Sequence, residues 1–223
     1  MSQAFIFDLD GTLVDTAPDL QASLNTILSR HGLPPLEIGE LRHLVGRGAR
    51  NLLTEAFRRS GATVSPAQLE LLYDAFIAEY GSHAAVSSRP YPGVIETLAQ
   101  LKSEAVRMAV LTNKPHGPTQ TLIRELGLAD FFGAVFGQGL RPYLKPDPRL
   151  FEAVVSELGG RGDGVVVVGD STTDVETARA GRAPVILMSY GYTPEPAASL
   201  GADLVLDDFR DVPAAGRRLL RMG

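Results

Sequence analysis

The chain has 223 residues, of which 44% are apolar and 21% are charged, which is enough to bury a core without disulfides or a structural metal. It contains no cysteine, which excludes a thiol nucleophile, a CxxC redox pair, a cysteine zinc site and a disulfide framework. The net charge is −5 and there is no basic run, so we expect no nucleic-acid partner. No apolar stretch approaches the roughly 18 residues that span a membrane, and we expect a cytoplasmic protein with no membrane partner.

The first predicted element is a buried strand, AFIF, at residues 4–7. Residues 16–86 then contain no strand-like run, and their apolar residues recur at helical spacing throughout. A helical excursion of this length is too long for a loop. We therefore predict an inserted all-helical cap over residues 16–87, with the core formed by residues 1–15 and 88–223.

From about residue 104 onward, the sequence alternates short apolar runs with helical patterns. The apolar runs are RMAVLT, AVFG, VVVVG, PVILM and DLVLD. This alternation is typical of an α/β protein with a parallel sheet. The first strand, AFIF, is expected to belong to the same sheet.

Polar side chains follow several of the predicted strands. Asp8 comes directly after AFIF, Thr112 and Asn113 follow AVL, and Asp170 follows VVVVG, while Lys145 stands just before a predicted helix. Ligands of open parallel sheets bind at the carboxyl ends of the strands, so these ends should lie side by side. Each residue has an ordinary explanation in a turn, a helix cap or a solvated surface, but together they favour a catalytic site for a phosphorylated ligand.

The acids Asp8 and Asp10 indicate covalent phosphoryl chemistry. Side chains two apart in an extended segment point the same way, so both carboxylates can face one small volume. One carboxylate can attack phosphorus to give an aspartyl-phosphate, and Asp10 can then protonate the leaving alcohol and later activate water. Lys145 can supply a positive charge to the phosphate, while Thr112 and Asn113 can donate hydrogen bonds to it.

The same acids predict a divalent cation. Asp8, Asp10 and Asp170 would repel one another unless a hard cation lay among them. Mg²⁺ fits, because it binds through one or two carboxylates, keeps several waters and accepts a phosphate oxygen as a further ligand. Asp174, one helical turn beyond Asp170, is expected to steady the metal site without ligating the ion directly.

Substrate choice is expected to lie in the cap residues that close over the site. Gly46, Arg47 and Gly48 begin a small-residue loop that reaches Arg50 between two predicted cap helices. Glycines there would let the backbone approach a ligand, and Arg47 or Arg50 could pair with a substrate carboxylate. A turn with two solvated arginines is the alternative, and the sequence leaves both open.

Four ordered motifs, FDLDGT, LTN, the KP lysine and GDSTTD, resemble those of the haloacid dehalogenase superfamily of phosphohydrolases. The resemblance extends from Phe5 to about Asp208. It implies a Rossmann-like core with helices on both faces of the sheet and a helical cap inserted after the first motif. It also implies a site with Asp8 as nucleophile, Asp10 as acid/base, Thr112 and Lys145 as phosphate ligands, and Mg²⁺ on Asp8, Asp170 and the backbone carbonyl of Asp10.

Within that superfamily, the segments DGTLVDTAPDL, VGRGARNLL and SYGYTP resemble the phosphoglycolate phosphatase branch. The expected function is Mg²⁺-dependent hydrolysis of 2-phosphoglycolate to glycolate and phosphate, by a monomer or a homodimer. A sugar phosphate, N-acetylmuramic acid 6-phosphate or pyrophosphate as substrate, a phosphosugar mutase, and a protein that only binds a phosphorylated metabolite stay open as alternatives. A dehalogenase is disfavoured, because a halide leaves without the proton that Asp10 would supply.

Overall fold

The computed structural model describes residues 3–160 and 164–222, so residues 1, 2, 161–163 and 223 of the predicted core lie outside the described residues. Its strands are β1 (Ala4–Phe7), β2 (Val14–Asp15), β3 (Arg89–Pro90), β4 (Arg107–Pro115), β5 (Ala134–Gln138), β6 (Val165–Gly169), β7 (Val185–Met188) and β8 (Leu204–Leu206). Its helices are α1 (Ala17–Arg30), α2 (Ile38–Arg42), α3 (Ala49–Arg59), α4 (Pro66–Gly81), α5 (Val94–Ser103), α6 (His116–Glu125), α7 (Pro148–Glu157), α8 (Thr172–Ala180) and α9 (Val212–Met222). Among these helices, none is long and apolar enough to cross a membrane.

Six of the strands form one parallel sheet in the order β5-β4-β1-β6-β7-β8. β1 lies in the middle, where Phe7 pairs with Val110 of β4 on one side and with Val168 of β6 on the other. The chain builds one half of the sheet through β4 and β5 and the other half through β6 to β8, which is the order of Rossmann-type sheets. The predicted parallel α/β sheet is thus confirmed, and β1 and β6 meet where ligands of such sheets bind.

Helices cover both faces of this sheet, as predicted. Because side chains alternate along a strand, Phe5 and Phe7 pack in one buried cluster with α5, α6 and α9. Ala4 and Ile6 point to the other face and pack in a second cluster with α7 and α8. Burial on both faces explains why β1 and β6 are continuous apolar runs rather than alternating ones.

Helices α1 to α4 form a third hydrophobic cluster, separate from the two that cover the sheet. α1 buries the stripe of Leu20, Leu24, Ile27 and Leu28 in this cluster. In the chain, these four helices stand between β2 and β3, which pair with each other as a short antiparallel ladder. The arrangement supports the predicted helical cap, whose bounds at residues 16 and 87 stay a prediction.

Candidate active site

Asp8 and Asp10 lie in the turn that leaves β1 at the middle of the sheet. The Asp8 N–H continues the ladder by donating to the carbonyl of Val168 at 2.8 Å, and both carboxylates are more than nine-tenths buried. Gly11 follows in a left-handed conformation with φ of 85°, and a Cβ there would approach Asp170 Oδ2 to 2.4 Å. Only glycine therefore lets this turn bring β1 against the acid that follows β6.

Lys145 is buried between two of the acids. Its Nζ donates to Asp8 Oδ1 and to Asp174 Oδ1, each at 2.7 Å. Burial opposes its charge, but the carboxylates of Asp174 and Asp8 prevail and raise the pKa of Lys145 above its usual range. The ammonium therefore stays charged beside the predicted nucleophile.

Asn113 fixes the backbone on which Lys145 is carried. Asn113 Oδ1 accepts the Lys145 N–H at 2.9 Å, while its Nδ2 donates to the carbonyls of Lys145 at 3.3 Å and Gly46 at 3.2 Å. Thr112 is also buried, and its Oγ1 accepts the Lys114 N–H at 3.1 Å. Thr112 and Asn113 thus lie at the carboxyl edge of the sheet, near the end of β4. Asn113 connects Lys145 to the loop at Gly46.

Asp8, Asp170 and Asp174 form the candidate metal centre, with one oxygen of each carboxylate within 4.8 Å of the others. Burial raises the pKa of Asp8 to about 7, although Lys145 works against this rise. Burial and the carboxylates of Asp174 and Asp8 raise the pKa of Asp170 well above its usual range. When they are ionised, three buried acids with one ammonium among them carry a surplus of negative charge, and their oxygens are the donors that Mg²⁺ prefers, so the donor set fits this ion.

Asp174 and Asp170 are both held by their own loops. Asp174 Oδ2 accepts the N–H groups of Asp170 and Ser171 at 3.2 and 3.1 Å and the Ser171 hydroxyl at 2.7 Å, which caps α8. Asp170 Oδ2 accepts the Tyr192 N–H at 2.7 Å, and its Oδ1 accepts the Thr12 hydroxyl at 3.3 Å. Asp174 therefore braces the loop of Asp170, and its supporting role at a metal stays a prediction.

The Asp10 side chain is held by a different set of residues. Its Oδ1 accepts the Thr16 hydroxyl at 2.7 Å and the Lys114 ammonium at 2.9 Å. The same ammonium donates to the Tyr80 hydroxyl of α4 at 2.7 Å. Sequence reasoning gave no role to Lys114 or Tyr80. The available signal was that Lys114 follows Thr112 and Asn113 at the end of a strand, whereas nothing in the sequence marked Tyr80 off from the other apolar residues of its helix.

Two clefts meet at Asp10. The first is lined by Asp8, Thr112 and Asn113 from the sheet edge and by residues of α1, α3 and α4, with Gly46 and Gly48 at its rim. The second is a wider polar cleft lined by Asp170 and Arg47, and Arg47 is exposed there. Of the two predicted cap arginines, Arg47 therefore lines one of these clefts.

Arg50 points away from both clefts. Its guanidinium forms hydrogen bonds at 2.9 and 2.6 Å to the carboxylate of Glu70 and lies 3.8 Å from the ring centroid of Tyr73. These contacts tie α3 to α4 on the outside of the helical cluster. The predicted pairing of Arg50 with a substrate carboxylate is thus not what the structure arranges, because Glu70 already takes its bidentate face.

The chain matches the haloacid dehalogenase-like hydrolase family model over residues 3–182. A phosphoglycolate phosphatase from Caulobacter vibrioides is 46% identical over 96% of this chain and 90% of that protein, and an N-acetylmuramic acid 6-phosphate phosphatase from Pseudomonas aeruginosa is 34% identical over 94% and 92%. The crystal structure of a predicted phosphoglycolate phosphatase from Haemophilus somnus 129PT superposes with a TM-score of 0.89 at 30% identity and covers 96% of this chain and 97% of that one.

These matches, with the sheet order and the acids at its carboxyl edge, define the class of the protein. The chain belongs to the haloacid dehalogenase-like hydrolases, and it is an enzyme of that family.

Proposed function

We propose that the enzyme is a phosphatase that works through phospho-Asp8. The observation that carries this proposal is the pairing of two buried carboxylates with two buried lysines: Lys145 contacts Asp8, and Lys114 contacts Asp10. A protein that only bound a phosphate dianion would gain nothing from a second carboxylate facing it, because like charges repel. Two acids with separate partners fit a nucleophile and an acid/base.

In the first step, an oxygen of Asp8 attacks phosphorus, the bond from phosphorus to the ester oxygen breaks, and Asp10 gives its proton to the departing alkoxide. In the second step, Asp10 takes a proton from water as the water oxygen attacks phosphorus, and the bond to Asp8 breaks. Thr16 and Lys114 both hold Oδ1 of Asp10, so Oδ2 is the oxygen placed to carry the proton. Lys145 and Thr112 bind the phosphoryl oxygens at the sheet edge.

We further propose that Mg²⁺ is the cofactor, held by Asp8, Asp170 and the backbone carbonyl of Asp10, with Asp174 bracing the Asp170 loop. When bound, the ion supplies positive charge that offsets the repulsion between the carboxylates and the substrate phosphate. The carboxylate oxygens and the surplus negative charge of the cluster support this assignment.

The proposed substrate is 2-phosphoglycolate, in keeping with the similarity to the phosphatase from Caulobacter vibrioides. A small substrate also suits the first cleft, because the helices of the proposed cap, residues 16–87, close over Asp8 and leave mostly apolar walls. Arg47, exposed in the second cleft, stays a predicted contact for the substrate. The cytoplasmic location and the monomeric or homodimeric state stay predictions.

The experiment is a comparison of kcat/KM with Mg²⁺ on 2-phosphoglycolate, sugar phosphates, N-acetylmuramic acid 6-phosphate, nucleotides and pyrophosphate, with Asp8→Asn as the blank. We expect Asp8-dependent hydrolysis with a preference for 2-phosphoglycolate. A preference for a sugar phosphate would support the proposed mechanism and contradict 2-phosphoglycolate as the substrate. Hydrolysis that survives in Asp8→Asn, or no hydrolysis of any ester by the unaltered enzyme, would contradict the proposal.

A further inference from the structure

Lys114 is a buried cation at the point where the sheet edge meets α4. Its side chain is 3% exposed, and its ammonium donates to Asp10 Oδ1 at 2.9 Å and to the Tyr80 hydroxyl at 2.7 Å. Its Nζ also lies 4.4 Å from the centroid of the Tyr80 ring. An ammonium has three N–H donors, so the contacts with Asp10 and Tyr80 leave one donor to be used in the cleft that Lys114 lines.

The walls of this cleft beyond the sheet edge are almost entirely apolar. The cap contributes the buried side chains of Leu20, Leu52, Phe76 and the half-buried Val45. Among the residues that the structure describes along this cleft, Lys114 is the one cation. A second negative group of a substrate would be costly to bury against such walls, and Lys114 is the group that could offset that cost.

We propose that Lys114, with the Tyr80 hydroxyl, determines specificity by binding the carboxylate of a small phosphorylated acid whose phosphate lies at Asp8. This inference rests on the proposed function and deepens it, because it assigns the substrate's carboxylate to the first cleft. The third N–H of Lys114 and the Tyr80 hydroxyl are the two donors for that carboxylate.

The geometry also limits the size of the substrate. Lys114 contacts Asp10, and Asp10 must reach the leaving oxygen, so the carboxylate and the leaving oxygen are separated by a short spacer. A sugar would instead bring several hydroxyls against Leu20, Val45, Leu52 and Phe76, which offer them no side-chain partners. The site therefore favours a two-carbon acid over a phosphosugar.

The test compares 2-phosphoglycolate with ethyl phosphate, which has a methyl group in place of the carboxylate. In Lys114→Met, kcat/KM for 2-phosphoglycolate should fall about tenfold to a hundredfold more than kcat/KM for ethyl phosphate, mostly through KM. Lys114→Arg keeps the charge and should restore part of the discrimination. Lys102→Met is the matched control, because Lys102 is an exposed lysine of α5 that lines neither cleft, and it should leave the ratio unchanged.

An equal loss on both esters in Lys114→Met would overturn the proposal, because it would mean that Lys114 only positions Asp10. A ratio that changes in Arg47→Ala and not in Lys114→Met would also overturn it. If Lys114→Met does not fold, Tyr80→Phe decides: it should reduce the discrimination in the same direction, and an unchanged ratio would overturn the proposal. Failure of the proposed function is distinct, since the unaltered enzyme would then show no Asp8-dependent turnover of either ester.

Discussion

At the scale of single residues, the two aspartates after β1 have different electrostatic surroundings. The charge of the Asp10 carboxylate is balanced by one ammonium, since Lys114 Nζ lies 2.9 Å from Asp10 Oδ1. Asp8 shares the ammonium of Lys145 with Asp174, and Asp170 adds a further buried carboxylate to that cluster. The surplus of negative charge therefore lies on the side of Asp8, where a cation would be needed, and not on the side of Asp10.

This imbalance predicts how Mg²⁺ stabilises the enzyme as a function of pH. The pKa of Asp8 is about 7 in the folded chain against its usual 3.8, so without metal the folded state holds a proton that the unfolded state releases between these values. Raising the pH through that window therefore lowers the free energy of unfolding. A cation that neutralises the cluster removes this loss, so stabilisation by Mg²⁺ should grow as the pH rises through the same window.

The measurement is the melting temperature of EDTA-treated enzyme with and without excess Mg²⁺, at a pH above the Asp8 pKa and at one well below it. Asp170→Asn, which removes one carboxylate charge from the cluster, should show a smaller Mg²⁺ effect at the higher pH. A shift in melting temperature that is the same at both pH values would contradict the predicted surplus of charge.

At the scale of elements, one buried acid ties the start of α1 to the segment that leads into β3. Asp19 is 3% exposed, and its carboxylate accepts hydrogen bonds from the N–H groups of Ser87 and Ser88 and from the Ser88 hydroxyl, at 2.7 to 3.0 Å. These bonds join the two chain segments that connect the helical cluster to the sheet.

Asp19→Ala should lower the free energy of unfolding by about 3 kcal/mol, because it leaves the buried N–H and hydroxyl of Ser88 without an acceptor. Urea unfolding followed by circular dichroism measures the change. The matched control is Asp74→Ala, since Asp74 is an exposed acid on α4, and it should stay within about 0.5 kcal/mol of the unaltered chain. Equal stability of the two variants would show that the Asp19 contacts carry no net stabilisation.

The elements and the acidic side of the site could be predicted from the sequence because both depend on local patterns. Continuous apolar runs marked β1 and β6, and polar residues directly after them marked the carboxyl edge. The start of α6 at His116 is local as well, because Pro115 ends β4 and directly precedes the first turn of the helix.

The partners across the chain could not be predicted in the same way. Lys114 donates a hydrogen bond to Tyr80 because α4 packs against the sheet edge. Arg50 forms an ion pair with Glu70 because α4 also packs against α3. Tyr80 and Lys114 are 34 positions apart in the chain, and Arg50 and Glu70 are 20 positions apart. No local spacing in the sequence encodes such contacts. The ion pair of Arg50 with Glu70 therefore depends on the packing of helices and not on the segment that contains Arg50.

At the scale of the whole molecule, Tyr192 connects the candidate metal centre to the base of the helical cluster. Its N–H donates to Asp170 at 2.7 Å, while its hydroxyl accepts the N–H groups of Thr16 and Ala17 at 2.7 and 2.9 Å and donates to Asp15 at 2.6 Å. Through its backbone N–H and its hydroxyl, this one residue of the loop after β7 thus links the acid after β6 to the start of α1. The proposed cap and the proposed catalytic centre are mechanically joined through it.

The most direct test of the central claim is to trap phospho-Asp8. Asp10→Asn cannot activate water, so with 4-nitrophenyl phosphate, whose leaving group needs no proton, it should form the aspartyl-phosphate and release it slowly. After rapid acid quench, mass spectrometry should find one phosphoryl group, on the peptide that contains Asp8, and none in the Asp8→Asn, Asp10→Asn double variant. An Asp10→Asn enzyme that turns over the ester without ever carrying phosphate, or that carries it elsewhere, would contradict the account.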